Sequence, residues 1–273
     1  MPVYSPNEIT QPNQEDLLIR RQRLAWRSSP SLHFFACPLW YTWAITRKMK
    51  VITMQFLAML TMLIDHIGLI WFPEDAGWRI VGRLAMPIYA YAIVLGYFRT
   101  SHINRYLKRL AWIALISQLP YQFAFHLLEV NTVGSLFMCL LLLRLLDKYK
   151  GKPAVPYLIA AAFVILLEVL PFSYGAYLVL LVLIYRYAEA QWMTLLHFSL
   201  NAASVFVKGW VLQLFSVFAT VFIIYLPGFL RSLDKIRMPR FVWRSFYPLH
   251  LTILAVLSYY MSNQSFQELL DFM

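Results

Sequence analysis

Long apolar runs alternate with short charged breaks from residue 51 to residue 261. We interpret nine of these runs as membrane-spanning helices, at residues 51–72, 78–98, 109–128, 132–147, 154–170, 173–189, 192–207, 210–226 and 244–261. A perpendicular span needs about 20 residues, and several runs are shorter, so the count of about nine has a range of about eight to ten. The weakest run contains His197 and Asn201. The pattern predicts an all-α, polytopic transmembrane helix bundle.

Residues 1–48 follow a different pattern. They form a polar stretch with several prolines, then a basic cluster, then an aromatic segment that is short for a span. We interpret them as an N-terminal extension that is poorly ordered or lies at the membrane interface. Met49-Lys50-Val51-Ile52 is typical of the start of a membrane protein, so Met49 is an alternative start. Residues 49–273 form the predicted membrane domain.

Composition and charge support the membrane assignment. The chain is 60% hydrophobic and 14% charged, whereas about a quarter of an ordinary soluble domain is charged. The formal charge of +11 arises from Lys and Arg that gather in alternate breaks, as the positive-inside rule describes. This places the N-terminus in the cytoplasm. No basic stripe with base-stacking aromatic residues indicates nucleic-acid binding.

The candidate chemistry centres on Asp65 and His66, inside the first apolar run. Ionisable groups at membrane depth are costly and usually face the bundle interior or a wet cavity. Counting from Val51 at about 1.5 Å per residue, His66 lies roughly 22 Å deep, near the extracytoplasmic surface. Arg79 and Arg83 enter from that same surface, one turn apart on one helix face. We therefore expect these four side chains to converge in an outward cavity.

Helix geometry separates the roles of the two neighbours. Adjacent helical residues point about 100° apart, so Asp65 is poorly placed to orient His66. His66 is the better candidate for the reacting group, because its ordinary pKa of about 6.5 suits proton transfer near neutral pH. Asp65 either takes part in the reaction or simply pairs with Arg79 or Arg83 so that both charges can be buried. Nothing in the spacing of His, Cys, Asp and Glu indicates a metal site.

The last apolar run begins with a second basic group. Arg240, Arg244 and His250 enter it from the cytoplasmic side and could gather the phosphates of an anionic ligand. The alternative is a positive-inside anchor with an aromatic belt.

Several blocks of the chain, taken together, resemble the TraX family of pilin acetylases, within the wider set of membrane-embedded acyltransferases. The blocks are MLTMLIDHIG at 59–68, RIVGRLAMPIYA at 79–90, YLKRL at 106–110, ISQLP at 116–120, YGAY at 174–177 and FYPLHL at 246–251. The likeness runs from about residue 50 to the end. Residues 1–48 have no counterpart in it, and residues 132–136 follow the family pattern only loosely.

The resemblance implies an inner-membrane enzyme that acetylates the N-terminal amine of a pilin subunit, with acetyl-CoA as donor and no metal. An envelope glycan or lipid is an alternative acceptor. His66 would take the acceptor's proton, and Arg83 or Arg79 would steady Asp65 or the oxyanion. Arg240, Arg244, Lys108 and Arg109 would hold the CoA phosphates, and the likeness strengthens the assignment of Arg244 and His250. A proton-coupled secondary transporter and a non-catalytic pilus or conjugation assembly factor remain alternatives.

Overall fold

A computed structural model describes residues 51–226 and 239–272, with side chains at 54–226, 239 and 241–261. The interpretation of residues 1–48 and of Met49 falls outside these residues. The described chain folds into helices, which are α1 (Val51–Trp71), α2 (Ala76–Gly82), α3 (Ala85–Arg99), α4 (Ile103–Phe125), α5 (Thr132–Lys148), α6 (Val155–Val169), α7 (Ala176–Tyr187), α8 (Ala190–Lys208), the 3₁₀ helix η1 (Val211–Ser216), α9 (Val217–Tyr225) and α10 (Arg240–Phe272). The predicted all-α fold is confirmed.

In the part of the chain that the structure describes, three helical segments are long and apolar enough to cross a membrane, namely 54–71, 76–99 and 241–261. The same part contains three shorter apolar helical segments, at 155–169, 176–187 and 211–225. The chain is therefore a membrane protein with several apolar helices, and the count of about nine spans remains a prediction. The run with the weakest signal forms the complete helix α8.

Side-chain burial separates the inner helices from the lipid-facing ones. Along α3, α5 and α7 most side chains are buried. The opposite arrangement appears on α4, where one face is exposed although it is apolar: Trp112, Leu115, Ile116, Leu119 and Phe123. Exposing an apolar face of this length to water is unfavourable, and contact with lipid removes this free-energy cost.

The predicted second span is interrupted between α2 and α3. The interruption lies at Arg83 and Leu84, just before Pro87 on the first turn of α3. Proline has no N–H to donate to the carbonyl four residues earlier, which is that of Arg83. At the same place, the Leu84 N–H donates to the Val81 carbonyl at 3.2 Å, three residues back, and this bond tightens the turn. The interruption places Arg83 so that its side chain contacts the buried Gln213 of η1.

Gln118 and Asn131 tie α4 to the start of α5. The Gln118 side chain donates to the Glu129 carbonyl at 2.7 Å and accepts from both the backbone N–H and the side-chain amide of Asn131, at 3.0 and 2.9 Å. Asn131 also donates to the Ala114 carbonyl and caps α5 by accepting from the Gly134 N–H. All four polar functions of this buried Asn131 are thus used within the protein, and the pair fixes the helix connection.

We expect Asn131→Ala to lower the free energy of unfolding by about 2 kcal/mol, because it leaves buried donors and acceptors without partners. Thermal and denaturant unfolding in detergent micelles measure this change. Asn104→Ala is the matched control, since Asn104 lies exposed on α4, and we expect a change within about 0.5 kcal/mol. Equal stability of the two variants would show that the Gln118–Asn131 contacts add nothing to the fold.

Candidate functional site

His66 and His250 form a hydrogen-bonded pair between α1 and α10. The His66 Nδ1 and His250 Nε2 atoms are 3.0 Å apart, and the two rings lie stacked with centroids 5.2 Å apart and planes 9° from parallel. Sequence analysis assigned His250 to a basic group with Arg240 and Arg244. The structure places it beside His66 instead, because His250 lies about two turns deeper in α10 than Arg244 and about three turns deeper than Arg240.

The contacts of His250 determine which nitrogen of each neutral ring carries hydrogen. His250 Nδ1 is 2.7 Å from the Phe246 carbonyl oxygen, which can only accept, so this nitrogen is the N–H donor. His250 Nε2 is then the acceptor, and it accepts from the N–H at His66 Nδ1. His66 Nε2 is left with a free lone pair. The pair therefore presents one basic nitrogen, held in a fixed orientation.

Aromatic rings enclose the histidine pair. Phe125 of α4 packs edge-on against His66, with centroids 4.8 Å apart. Phe246 stacks on His250 at 4.5 Å, and Tyr247 packs against it at 5.6 Å. These contacts fix both imidazole planes by packing rather than by charge.

Asp65 points away from His66 and pairs with Arg79. The Arg79 Nη1 and Asp65 Oδ1 atoms are 3.1 Å apart, and both side chains are mostly buried. The pairing requires a very close approach of α1 to α2, where Gly82 lies directly against the Asp65 side chain. Any side chain at position 82 would overlap the carboxylate. The sequence allows either Arg79 or Arg83 as the partner of Asp65. The structure places Asp65 with Arg79.

Arg83 faces a different set of groups. Its Nη1 donates to the Gln213 Oε1 at 3.5 Å. Its Nε is buried and has no hydrogen-bond partner among the described residues. Asp65, Arg79 and Arg83 thus gather at one end of the bundle as expected, while His66 turns towards His250.

Behind Arg83 lies a buried polar network that sequence analysis did not identify. Gln213 donates to the Tyr177 hydroxyl at 3.0 Å, and that hydroxyl donates to Asn201 at 2.9 Å. His197 links the Tyr177 hydroxyl to Thr220, at 3.0 and 2.6 Å. The network continues through four further contacts, which join Thr220 to Tyr185 and Ser216 to Asn201, His197 and Tyr177.

A sequence signal for this network does exist. His197 and Asn201 are four residues apart on α8, and Ser216 and Thr220 are four residues apart across η1 and α9. Residues at that spacing share a helix face. Polar faces on two otherwise apolar helices indicate that the helices face each other, because buried polar groups require partners.

The basic group at the other end of the bundle forms around Trp243. The guanidinium carbon of Arg109 lies 5.1 Å from the Trp243 ring centroid and 4.9 Å from that of Tyr106. The guanidinium carbon of Arg244 lies 5.3 Å from the Trp243 ring centroid. We call Arg109, Trp243 and Arg244 the basic mouth.

The two remaining residues of the predicted phosphate site lie elsewhere. Lys108 is exposed on the neighbouring face of α4. The side chain of Arg240 falls outside the described residues. The structure therefore brings together Arg109 and Arg244 but not the full predicted set.

Arg109 and Trp243 of the basic mouth line a cavity of about 90 Å³. The side chains that α1 and α10 add to its walls are Gln55, Met59 and Met62, and Phe246 and Tyr247. At helical spacing, the next residue on the same face is His66 on α1 and His250 on α10. On both helices, the face that lines the cavity thus continues to the paired imidazoles.

The described residues contain no group of three or more His, Cys, Asp or Glu side chains that could hold a metal ion. The polar groups present are a histidine pair, an ion pair and paired arginines. Such groups can move protons and bind anions.

These features define a helical membrane protein with a polar site enclosed by its helices. The chain belongs to the TraX family, whose model, described as TraX protein, matches residues 51–258. It is also similar to the probable fimbrial assembly protein FimC, serogroup H1, of Dichelobacter nodosus, with 27% identity over 229 residues, which cover 74% of this chain and 93% of the relative. No solved structure matches it.

Proposed function

We propose that the chain is a membrane acetyltransferase that takes the acetyl group from acetyl-CoA in the cytoplasm and passes it to an acceptor across the inner membrane. The observation that carries the proposal is the free lone pair at His66 Nε2, fixed by the hydrogen bonds from His66 to His250 and from His250 to the Phe246 carbonyl. A neutral imidazole held in one tautomer suits general-base catalysis near neutral pH.

The proposed reaction is one acyl transfer. The acceptor's amine or hydroxyl attacks the thioester carbonyl carbon and gives its proton to His66 Nε2, while the carbonyl electrons move to oxygen. The tetrahedral intermediate then collapses, expels the CoA thiolate and re-forms the carbonyl. The thiolate takes the proton from His66, so the products are the acetylated acceptor and the free thiol. No metal enters the step.

The arginines divide the electrostatic tasks. Asp65 balances the charge of Arg79. Arg83 has no carboxylate partner among the described residues, and its buried Nε–H, like Nη1 of Arg79, makes no hydrogen bond there. A buried donor without a partner is costly, and a developing oxyanion would satisfy it. We therefore assign stabilisation of the intermediate to Arg83 rather than to Arg79.

The basic mouth and the cavity suit a donor of the CoA type. Arg109 and Arg244 flank the Trp243 ring, and guanidinium groups bind phosphate oxygens well. From Gln55 to His66 the α1 helix rises about 16 Å. The extended thiol arm of CoA can cover such a distance, so its phosphates would remain at the mouth while the thioester reaches the histidine pair.

The acceptor is assigned from the family and the relative. The relative is named as a fimbrial assembly protein, which supports a pilin subunit, modified at its N-terminal amine. An envelope glycan remains the alternative acceptor. The Lys and Arg bias of the loops supports a cytoplasmic N-terminus.

The test is acetyl transfer by the purified protein in proteoliposomes. Labelled acetyl-CoA is supplied together with a peptide that carries a pilin N-terminus or with an envelope glycan. We expect label to appear in one acceptor and to depend on the protein. If label reaches neither acceptor while pilus assembly in cells still requires the protein, the chain is an assembly factor, as the relative's name also allows. Proton-driven uptake of a solute without CoA would establish a transporter.

Within the basic mouth, Arg109→Gln is expected to raise the KM for acetyl-CoA about tenfold and to change kcat little. A phosphate contact far from the reacting carbon stabilises the ground state and the transition state equally. Steady-state kinetics on the purified protein measure both constants. Lys150→Gln is the control, since it removes one exposed charge from the loop after α5. If the two variants have the same KM, Arg109 does not bind the donor.

A further inference from the structure

Gln213 lies on η1, and the geometry of this 3₁₀ helix places it on the same side as Ser216. A 3₁₀ helix has three residues per turn, so side chains three residues apart lie on one face. The chain enters η1 through Gly209, whose φ of 69° lies in the left-handed region that favours glycine. Both Gln213 and Ser216 are buried. This local geometry brings a neutral amide into the interior of the bundle.

The Tyr177 hydroxyl determines which end of the Gln213 amide faces it. The Asn201 side-chain amide donates to Ser216 at 2.9 Å, and its carbonyl oxygen faces Tyr177. A hydroxyl carries one hydrogen, and Tyr177 donates it to Asn201 at 2.9 Å. The Tyr177 oxygen can therefore only accept from Gln213, whose NH₂ group lies 3.0 Å away.

The Arg83 guanidinium requires the opposite end of the same amide. A guanidinium has only donors, and Arg83 Nη1 lies 3.5 Å from Gln213 Oε1. A carbonyl oxygen in that place attracts the positive charge, whereas an NH₂ group would repel it. Turning the amide over would therefore place a donor against Arg83 and an acceptor against the Tyr177 oxygen. The two neighbours together fix the direction of the amide.

A neutral amide satisfies both neighbours without cancelling a charge. A carboxylate at position 213 would accept from Arg83, but it has no hydrogen for Tyr177 and would balance the guanidinium charge. An apolar side chain would satisfy neither neighbour. Arg79 shows the contrast, since Asp65 balances its charge. Gln213 thus contacts Arg83 and leaves its positive charge available.

We propose that Gln213 is a positioning residue whose carbonyl oxygen holds the Arg83 guanidinium for acyl transfer. The buried Arg83 Nε–H, which has no hydrogen-bond partner among the described residues, is then left for the acyl oxygen that becomes negative. Tyr177 and Asn201 hold the amide in the direction that this requires. The effect on the reaction rests on the proposed acetyl transfer, whereas the contact between Gln213 and Arg83 does not.

Gln213→Leu removes both contacts of the amide. We expect kcat for acetyl transfer to fall about tenfold and the KM for acetyl-CoA to stay unchanged, because Arg83 acts on the intermediate and not on the bound donor. Combined with Arg83→Gln, it should slow transfer no further than Arg83→Gln alone, since Gln213 acts through Arg83. Gln191→Leu is the matched control at an exposed glutamine at the start of α8, and it should transfer at the wild-type rate.

Gln213→Glu separates positioning from a purely structural role. The carboxylate has the size of the amide and pairs with Arg83, so we expect a higher melting temperature than that of Gln213→Leu. Because the new charge cancels that of Arg83, we expect kcat to be no higher than in Gln213→Leu. A purely structural role predicts that the variant with the higher melting temperature is also the faster one, and this result overturns the proposal.

A further measurement does not depend on activity. Phenylglyoxal modifies arginine side chains, and mass spectrometry of the peptide that contains Arg83 reports the rate. We expect Gln213→Leu to raise this rate several-fold, because the guanidinium loses its contact with the amide. We expect Gln213→Glu to lower it, because an ion pair occupies the guanidinium, and Gln191→Leu to leave it unchanged.

Equal modification rates in all four proteins, or a Gln213→Leu protein that transfers acetyl groups at the wild-type rate, overturn the proposal. If Gln213→Leu does not fold, the kcat and the modification rate of Gln213→Glu, both expected below the wild-type values, decide the question. Absence of transfer in the wild-type protein overturns the proposed function alone, since the modification rates still decide whether Gln213 holds Arg83.

Discussion

His66→Ala is expected to lower the rate of acetyl transfer by about 10² to 10⁴-fold, the range that a positioned general base contributes. The substitution removes the only nitrogen of the histidine pair that our tautomer assignment leaves free to accept a proton. His66 is partly buried at the end of an apolar helix, so we expect the alanine variant to insert into the membrane and remain folded. Transfer at the wild-type rate by a folded His66→Ala protein would rule out the assignment.

His250 provides a second test of the same pair. His250→Ala leaves the ring of His66 in place but removes the acceptor that fixes its tautomer, so we expect a smaller loss, about 10 to 100-fold. The double variant should be no slower than His66→Ala, because the two residues act as one unit. His102→Ala, at an exposed position before α4, is the control that should retain full activity. Single-turnover assays with labelled acetyl-CoA separate these effects from donor binding.

The second large effect concerns the ion pair of Asp65 and Arg79. Asp65→Ala is expected to reduce the free energy of unfolding by about 3 kcal/mol, because it leaves a mostly buried guanidinium without its partner. The double variant Asp65→Ala with Arg79→Met should recover most of this loss, since it removes both charges. Unfolding in detergent micelles measures each step.

The activity of the double variant then shows whether Asp65 takes part in the reaction or only pairs with Arg79. We expect it to fold and to transfer acetyl groups within about threefold of the wild-type rate, because Asp65 already balances the charge of Arg79 and Arg83 stabilises the intermediate. Full activity in this protein would mean that Asp65 and Arg79 serve only to hold α1 against α2. If Asp65→Ala by itself is as stable as the wild type, the pair does not hold the helices together.

Parts of the site could be predicted because a charged residue within an apolar run can be recognised from the residues around it, and its burial costs free energy. Asp65, Arg79 and Arg83 are conspicuous in apolar surroundings, and their helix positions place them near one end of the bundle. The angle between adjacent helical residues also indicated that Asp65 and His66 face different neighbours. The choice of Arg79 over Arg83 could not be predicted, since both lie on one face and differ by a single turn. That choice follows from the close approach at Gly82.

The partner of His66 was the main residue that sequence reasoning misplaced. The residues around His250 in the chain are basic and aromatic, and this pattern favours a group with Arg240 and Arg244. It lies more than 180 residues from His66 along the chain, as the separation of 184 shows. No local pattern shows which faces of two such distant helices meet. The polar network has a local signal in the faces of α8 and of η1 and α9, but no local pattern shows that those faces meet Tyr177 and Gln213.

The sequence alone determined the helical membrane class, the approximate helix boundaries and the residues that are costly to bury, because these depend on local hydrophobicity and helix period. The tertiary structure decided the pairs: His66 with His250, Asp65 with Arg79, and Arg83 with Gln213. The reason is physical. Pairing requires two helix faces to approach within about 3 Å between polar atoms, and that depends on interruptions, small residues and packing contributed by several helices at once.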